Sequence, residues 1–285
     1  VKTLARTLSR NFALLICGLA GAPALAQTAA ELADQLRQIE IDPQACFRIR
    51  DLQLRKDDLS LYLNDGWVAF SKHVDGRRPF IVYRATEEGD NAEFLVRPPD
   101  RAERSSLAKF TGSPTLNEQI REAVIINTDG TDEELLTMIR QSPLTKPSTD
   151  MGYLIGSRIN SVLRNLGASF QVRIIHDLLA SQPASGLFYA TFTGTVLGNF
   201  DTMRYPTARE QIVLGQVTSS PQGGGFNVWA SFETRAARRR GEIRKPAGSL
   251  KNYRIQSTIE SDLRMECVTT ADFTPPSDIR GSLSF

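Results

Sequence analysis

The sequence predicts an α+β fold that is mainly β: an antiparallel sheet or sandwich with short helices, a second β-rich unit, and an incomplete third. Three observations carry this. Apolar and polar residues alternate with period 2 from Cys46 to Val96 and again from Tyr253 to Thr269. Turn-forming pairs such as Asp75-Gly76 punctuate these runs. Apolar residues at helical spacing are confined to the segments between them. With 285 residues, 41% hydrophobic and 23% charged, the chain is long enough to bury real cores without disulfide staples, and is neither disordered nor collagenous.

Residues 1–26 read as a signal peptide. Lys2, Arg6 and Arg10 precede the apolar stretch Phe12 to Ala22, and Ala24 and Ala26 supply the small-x-small pattern for cleavage before Gln27. The apolar stretch is about a dozen residues, well short of the roughly 20 needed to span a bilayer. Ile16 stands where a lipoprotein would need a small residue ahead of Cys17. Val1 reads as an alternative start codon and points to a bacterial gene. No second hydrophobic segment follows, so an exported chain, periplasmic or secreted, without an integral membrane span is expected. Removing three basic and no acidic residues takes the formal charge from +2 to −1. A near-neutral chain has no strong field for nucleic acid. Cys46 and Cys267 remain, a possible disulfide in an oxidising compartment, although both lie in strand-like apolar settings where free buried cysteine is common.

An N-terminal β-rich domain with short helices is expected over 27–147. Thr28 to Ile41 carries Leu32, Leu36 and Ile39 at helical spacing. Leu52/Leu54, Leu59/Leu61/Leu63 and Trp67/Phe70 then read as strands, with a tight turn at Asn64-Asp65-Gly66 and another at Val74 to Arg77. Pro79 to Ala85 and Phe94 to Val96 complete a meander that stops at Pro98-Pro99. Ala102 to Phe110 is a helix ending at Gly112. Thr115 with Glu118, and Thr131 with Glu134, have capping-box spacing, and Ala123 to Ile126 is a compact apolar strand. Pro143, Pro147, Ser148 and Thr149 read as a linker or long loop.

A helix-plus-β unit is expected over 148–234. Ile159, Val162, Leu163 and Leu166 recur at helical spacing, as do Ile174, Ile175, Leu178 and Leu179. Strands follow at Leu187 to Thr193, Gln211 to Val217 and Phe226 to Phe232, with Gln222 to Gly225 as a loop. Residues 235–251 form a basic linker containing Arg238-Arg239-Arg240, and 252–285 open a further, truncated β-domain.

Chemistry-bearing patterns are sparse. There is no His-x-His, His-Glu-x-x-His or Cys-x-x-Cys, and the two histidines, His73 and His176, offer no partners for a metal. Gly167 to Gln171 only superficially resembles a nucleophile elbow. The carboxylate pairs Asp57-Asp58, Glu87-Glu88 and Glu133-Glu134 fall in turns or a first helical turn, where acids are stabilising anyway. The basic cluster lacks interleaved aromatics for stacking on bases and suits an exposed hinge, or a lipid or partner contact. No catalytic, cofactor-binding or metal residue is predicted.

One ordered set of strings carries a resemblance. Leu52-x-Leu54, Asp58-Leu59-x-Leu61-x-Leu63-x-x-Gly66, Val74-x-Gly76-Arg77 and Pro98-Pro99-Asp100-x-x-Glu103-Arg104-x-x-Leu107 come first. Arg173-x-x-x-Asp177-Leu178-Leu179, Gln211-x-x-Leu214-Gly215-Gln216 and Trp229-x-Ser231-Phe232 follow. Together they resemble the N-terminal, non-catalytic region of secreted bacterial proteins related to the membrane alanyl aminopeptidase family of gluzincin metallopeptidases. Tyr253-x-Ile255-x-x-x-Ile259 resembles the opening strand of the β-domain that precedes the catalytic domain there. The family's His-Glu-x-x-His and Gly-x-Met-Glu-Asn are absent, so no catalytic residue carries over. The resemblance implies a secreted accessory or scaffold region without its catalytic part, not itself an enzyme, whose partner is a separate catalytic domain or an envelope protein. Two other readings stand beside it: an envelope-associated module binding a protein or glycan, and a small enzyme with an unrecognised site.

Overall fold

A computed structural model describes residues 28–86, 91–180, 186–208, 210–220, 223–241 and 249–274. Its elements in chain order begin with α1 (Ala29–Arg37), β1 (Ile41–Lys56), β2 (Leu59–Ser71), β3 (Phe80–Ala85), β4 (Ala92–Val96), α2 (Arg101–Thr111), β5 (Leu116–Asn127) and α3 (Thr131–Gln141). They continue with β6 (Lys146–Pro147), α4 (Thr149–Leu179), β7 (Phe188–Gly194), β8 (Asn199–Arg204), β9 (Ile212–Ser220), β10 (Gly223–Phe232), α5 (Arg235–Arg240), β11 (Ser249–Ile259) and β12 (Met265–Thr274). The fold is α+β and mainly β, as expected.

The first ten strands form one sheet in the order β10-β9-β8-β7-β5-β3-β2-β1-β6. β4 shares with β3 the slot between β2 and β5: Leu59 to Tyr62 pair with β4, and Gly66 to Phe70 pair with β3. Every strand pairing among the described residues is antiparallel, starting with β1 on β2. The expected units on either side of residue 147 therefore share a sheet, because β5 pairs with β7 from Ile120 to Asn127. The Pro143–Ser148 stretch is docked instead of free: Lys146 and Pro147 pair with β1, and Ser148 caps α4.

Both faces of the central strands are buried, which explains why β3 reads Phe80-Ile81-Val82-Tyr83 without polar interruption. Ile81 and Tyr83 enter one core with Val68, Phe70, Ala123 and Ile125. Phe80 and Val82 enter the other with Ala69, Val124 and Ile126, under α1 and α4. The first core also takes Leu107 of α2, Leu135 and Ile139 of α3, and residues from both ends of the sheet, Leu52 and Leu54 as well as Trp229 and Phe232. An aromatic run binds it together: Phe94 to Phe192 at 4.6 Å, Phe192 to Phe200 at 5.2 Å, and Phe200 to Trp229 at 5.6 Å. Each such ring contributes roughly 1.5–3 kcal/mol by burial.

α4 covers the second core. The two helical patterns of the sequence are one helix of 31 residues, about 46 Å long at 1.5 Å per residue, so not all helices are short. Gly167 to Gln171 lies inside it. Its glycines allow close approach: a Cβ on Gly152 would stand 2.6 Å from both Cα and O of Pro43 in β1.

Several local expectations are corrected. Asn64-Asp65-Gly66 is not a turn but mid-strand β2, and glycine is needed there because a Cβ would meet the Tyr83 ring at 2.6 Å. The β1–β2 turn is at Asp57, with φ 61°. Thr115 and Glu118 form no capping box. Leu116, Glu118 and Ile120 alternate inward on β5, and Glu118 Oε1 accepts from Val196 N at 2.6 Å and Leu197 N at 3.0 Å. α3 starts where expected, but Asp129 accepts from Thr131 N and Glu134 turns away to Lys56 at 2.7 Å. β8 was not expected at all, and Gly223 to Gly225 belong to β10.

Candidate interaction surface

The basic linker expected over 235–251 has structure at both ends. Thr234 caps the short helix α5, whose Arg235 Nε and Arg238 Nη2 reach Asp58 at 2.5 and 2.6 Å. Arg235 N donates to Asp57 Oδ1 at 2.9 Å, so α5 is clamped to the β1–β2 turn. Ser249 to Lys251 already belong to β11.

β11 and β12 form a separate two-stranded ribbon, with Ile259 opposite Met265 and Ile255 opposite Thr269. Strand alternation sorts its side chains. One face carries Tyr253, Ile255, Ser257 and Ile259 with Met265, Cys267, Thr269 and Ala271. The other carries Arg254, Gln256 and Thr258 with Glu266, Val268 and Thr270. Between Lys251 and Arg254 the register shifts, with Asn252 at φ 53° and its amide donating to Asp272 at 2.7 Å. This bulge puts Leu250 on the apolar face and Lys251 on the polar one, matching Phe273 and Asp272, which the unbroken alternation of β12 already places there; without it Leu250 and Lys251 would be swapped.

Most of the apolar face is exposed. Ile255, Ile259 and Met265 are 63%, 67% and 64% exposed, and Tyr253 is 59% exposed. A two-stranded hairpin is marginally stable on its own in water. Covering this face would recover roughly 1.5–3 kcal/mol per large side chain fully buried. Chemically the ribbon is a surface for apolar contact with edges open to further strand pairing.

Among the residues singled out from sequence, Ala24, Ala26 and Gln27 lie outside the described residues, as do Glu87 and Glu88. The Cys46–Cys267 disulfide is not formed: both thiols are free. Cys46 is enclosed between sheet and helices in the second core, and burial pushes its thiol up to about 11. Cys267 stands exposed on the ribbon, 3.4 Å from the Ser257 hydroxyl. His73 is exposed after β2, and no group of three or more potential metal ligands occurs among the described residues.

His176 sits beside a buried polar cluster that sequence reasoning missed. Asp177 is buried at the end of α4. Its Oδ2 accepts from Thr128 Oγ1 at 2.5 Å and Leu187 N at 3.3 Å, and its Oδ1 lies 3.4 Å from Tyr205 Oη and 3.2 Å from His176 Nδ1. Arg173 stacks on the Tyr205 ring at 4.6 Å. With both oxygens engaged, Asp177 latches α4 to β5 and β7, a structural role. Among the described residues no helix is long and apolar enough to cross a membrane. No family model, no curated protein and no solved structure matches this chain.

Proposed function

We propose that this chain is a non-catalytic, exported accessory or scaffold region of an aminopeptidase-like protein, and that the apolar face of the β11–β12 ribbon receives the catalytic polypeptide. The observation that carries the reading is the ribbon itself. Its bulge sets Leu250 beside Tyr253, Ile255, Ile259 and Met265 on one side, and all five stand exposed. A pattern so sorted is expected of strands that pack against further polypeptide. The aminopeptidase-like part of the proposal rests on the ordered strings from Leu52 to Ile259, and the non-catalytic part on the missing His-Glu-x-x-His and Gly-x-Met-Glu-Asn.

The test is co-expression of residues 27–285 with an aminopeptidase-like catalytic polypeptide read from the same gene neighbourhood, followed by co-purification and an aminoacyl-anilide assay. The complex should form with the wild type and be lost with Ile255→Asp, whose side chain lies on the apolar face. The accessory chain alone should be inactive with or without zinc. Zinc-dependent, chelator-sensitive turnover by residues 27–285 alone would sink the non-catalytic reading. Co-purification unaffected by Ile255→Asp would remove the ribbon from the interface.

A further inference from the structure

A second surface, independent of the ribbon, has the composition of a small-ligand site. A groove of about 650 Å³ opens between the end of α1, the segment after β2, and the middle of α4. Ile39 and Val74 form its floor, Gln38 and His73 contribute polar groups to its walls, and Arg164 reaches in from α4. Three elements distant in sequence are thus brought to one concavity, of the size that takes a small organic molecule and far larger than a bare ion.

The charges decide what kind of molecule. Arg37 is bound to Asp34 on its own helix, and Lys72 Nζ is bound to Glu40 Oε2 at 2.8 Å. Lys72 also holds Glu40 through the backbone, Lys72 N donating to Glu40 O at 2.8 Å. These pairs cancel within the wall. The nearby Asp42 is taken by Arg78 at 2.9 Å. Arg164 is left as the lining cation without a carboxylate at ion-pair distance among the described residues. The Glu40 carboxylate feels it, since Lys72 and then Arg164 hold that group below the usual carboxylate range, but Glu40 already spends its hydrogen bond on Lys72. An exposed guanidinium over a half-apolar groove offers a planar fork that matches a carboxylate, while the stems of Arg37, Lys72 and Arg164 supply apolar walls.

We infer that the groove binds a small organic carboxylate, either a free acid or the C-terminal group of a short peptide, with Arg164 pairing the carboxylate and the body of the ligand lying over Ile39 and Val74. Titration calorimetry on residues 27–285 tests this with four probes: hexanoate, hexanol, the tripeptide Ala-Ala-Phe, and its C-terminal amide. Saturable binding is expected for at least one of the two carboxylates, with its neutral counterpart weaker by about tenfold, the loss of one charge-assisted pair. Which carboxylate binds tells the free acid from the peptide. Arg164→Gln should weaken that binding by about tenfold, whereas Arg158→Gln, an exposed change on the same helix outside the groove lining, should leave it alone. Both are exposed positions, and matching thermal unfolding will confirm that the variants fold. Absence of binding by either carboxylate would overturn the inference, and so would equal affinity for the neutral probes or for Arg164→Gln. Inorganic phosphate as a fifth probe separates a carboxylate site from a general anion site: binding as tight as the best carboxylate would also overturn it.

Discussion

Replacing Gly152 by alanine tests the closeness of α4 to the sheet. In an exposed helix interior this change stabilises by about 0.8–1 kcal/mol, because glycine has more backbone entropy to lose. Here the new Cβ would lie 2.6 Å from Cα and O of Pro43 and 2.9 Å from its carbonyl carbon. Carbon atoms pack at about 3.5–4.0 Å, so helix and strand must part by about 1 Å. The obstruction is proline backbone, which no side-chain rotation relieves. A clash with rigid backbone belongs to the upper half of the about 1–3 kcal/mol that overpacking costs, leaving a net destabilisation of about 1–2 kcal/mol once the helix gain is subtracted. For a chain of this size that lowers the melting temperature by roughly 2–8 °C. Gly156, one turn on, is the internal control. Its nearest neighbour would be Ile41 Cβ at 3.4 Å, an ordinary contact, so Gly156→Ala should be neutral or stabilising by up to about 1 kcal/mol. Urea unfolding of both variants at pH 7 gives the comparison. If Gly152→Ala is as stable as the wild type, or the two variants shift alike, the close approach of α4 to Pro43 is wrong.

Three further outcomes are expected. Asp201 is buried on β8, and desolvation raises its carboxyl above the ordinary range, partly offset by hydrogen bonds from Thr191 and Tyr189. Such a group binds its proton more tightly folded than unfolded, so its stabilising contribution is full below the unfolded value of about 3.9 and is lost as pH rises through the folded one. Asp201→Asn should therefore gain on the wild type across that window and hold a constant gap above it; parallel denaturation curves from pH 4 to 8 would contradict the burial. Glu118→Ala leaves Val196 N and Leu197 N without their acceptor, and chemical denaturation should show a loss of about 1–3 kcal/mol. In protein beginning at Gln27, a thiol reagent at pH 8 should titrate Cys267 at once and Cys46 only on unfolding, because Cys46 is wholly buried with its thiol pushed up to about 11. A disulfide would give no fast thiol.

The parts of this fold that sequence made legible are those in which one residue type has one physical use. Leu52, Leu54, Leu59, Leu61 and Leu63 alternate because one face of each strand meets a core, and Gly112 ends α2 in the left-handed region as a helix-terminating glycine should. The rest was hidden by residues with two uses. Gly66 has the form of a turn glycine but serves the Tyr83 ring, and Glu118 at capping-box spacing instead satisfies two amides 78 and 79 residues away. β8 was missed because Asp201 and Thr202 bury polar atoms in partnerships that no period reveals. The candidate surface was half legible. The alternation of 253–269 was plain, but only the bulge at Asn252 shows that Leu250 belongs with Tyr253 and Ile255.

The clamp between α5 and the β1–β2 turn joins residues separated by 177 to 180 positions, Arg235 and Arg238 on one side and Asp57 and Asp58 on the other. In kinetic terms this couples the first hairpin to a late event. A chain emerging N-terminus first can pair β1 with β2 early, yet their turn carboxylates stay without cations until residue 238 has arrived. Closing so long a loop belongs to the slow, high-contact-order end of folding. The core that holds Leu52 and Leu54 also takes Trp229 and Phe232, so it stays incomplete until late in synthesis.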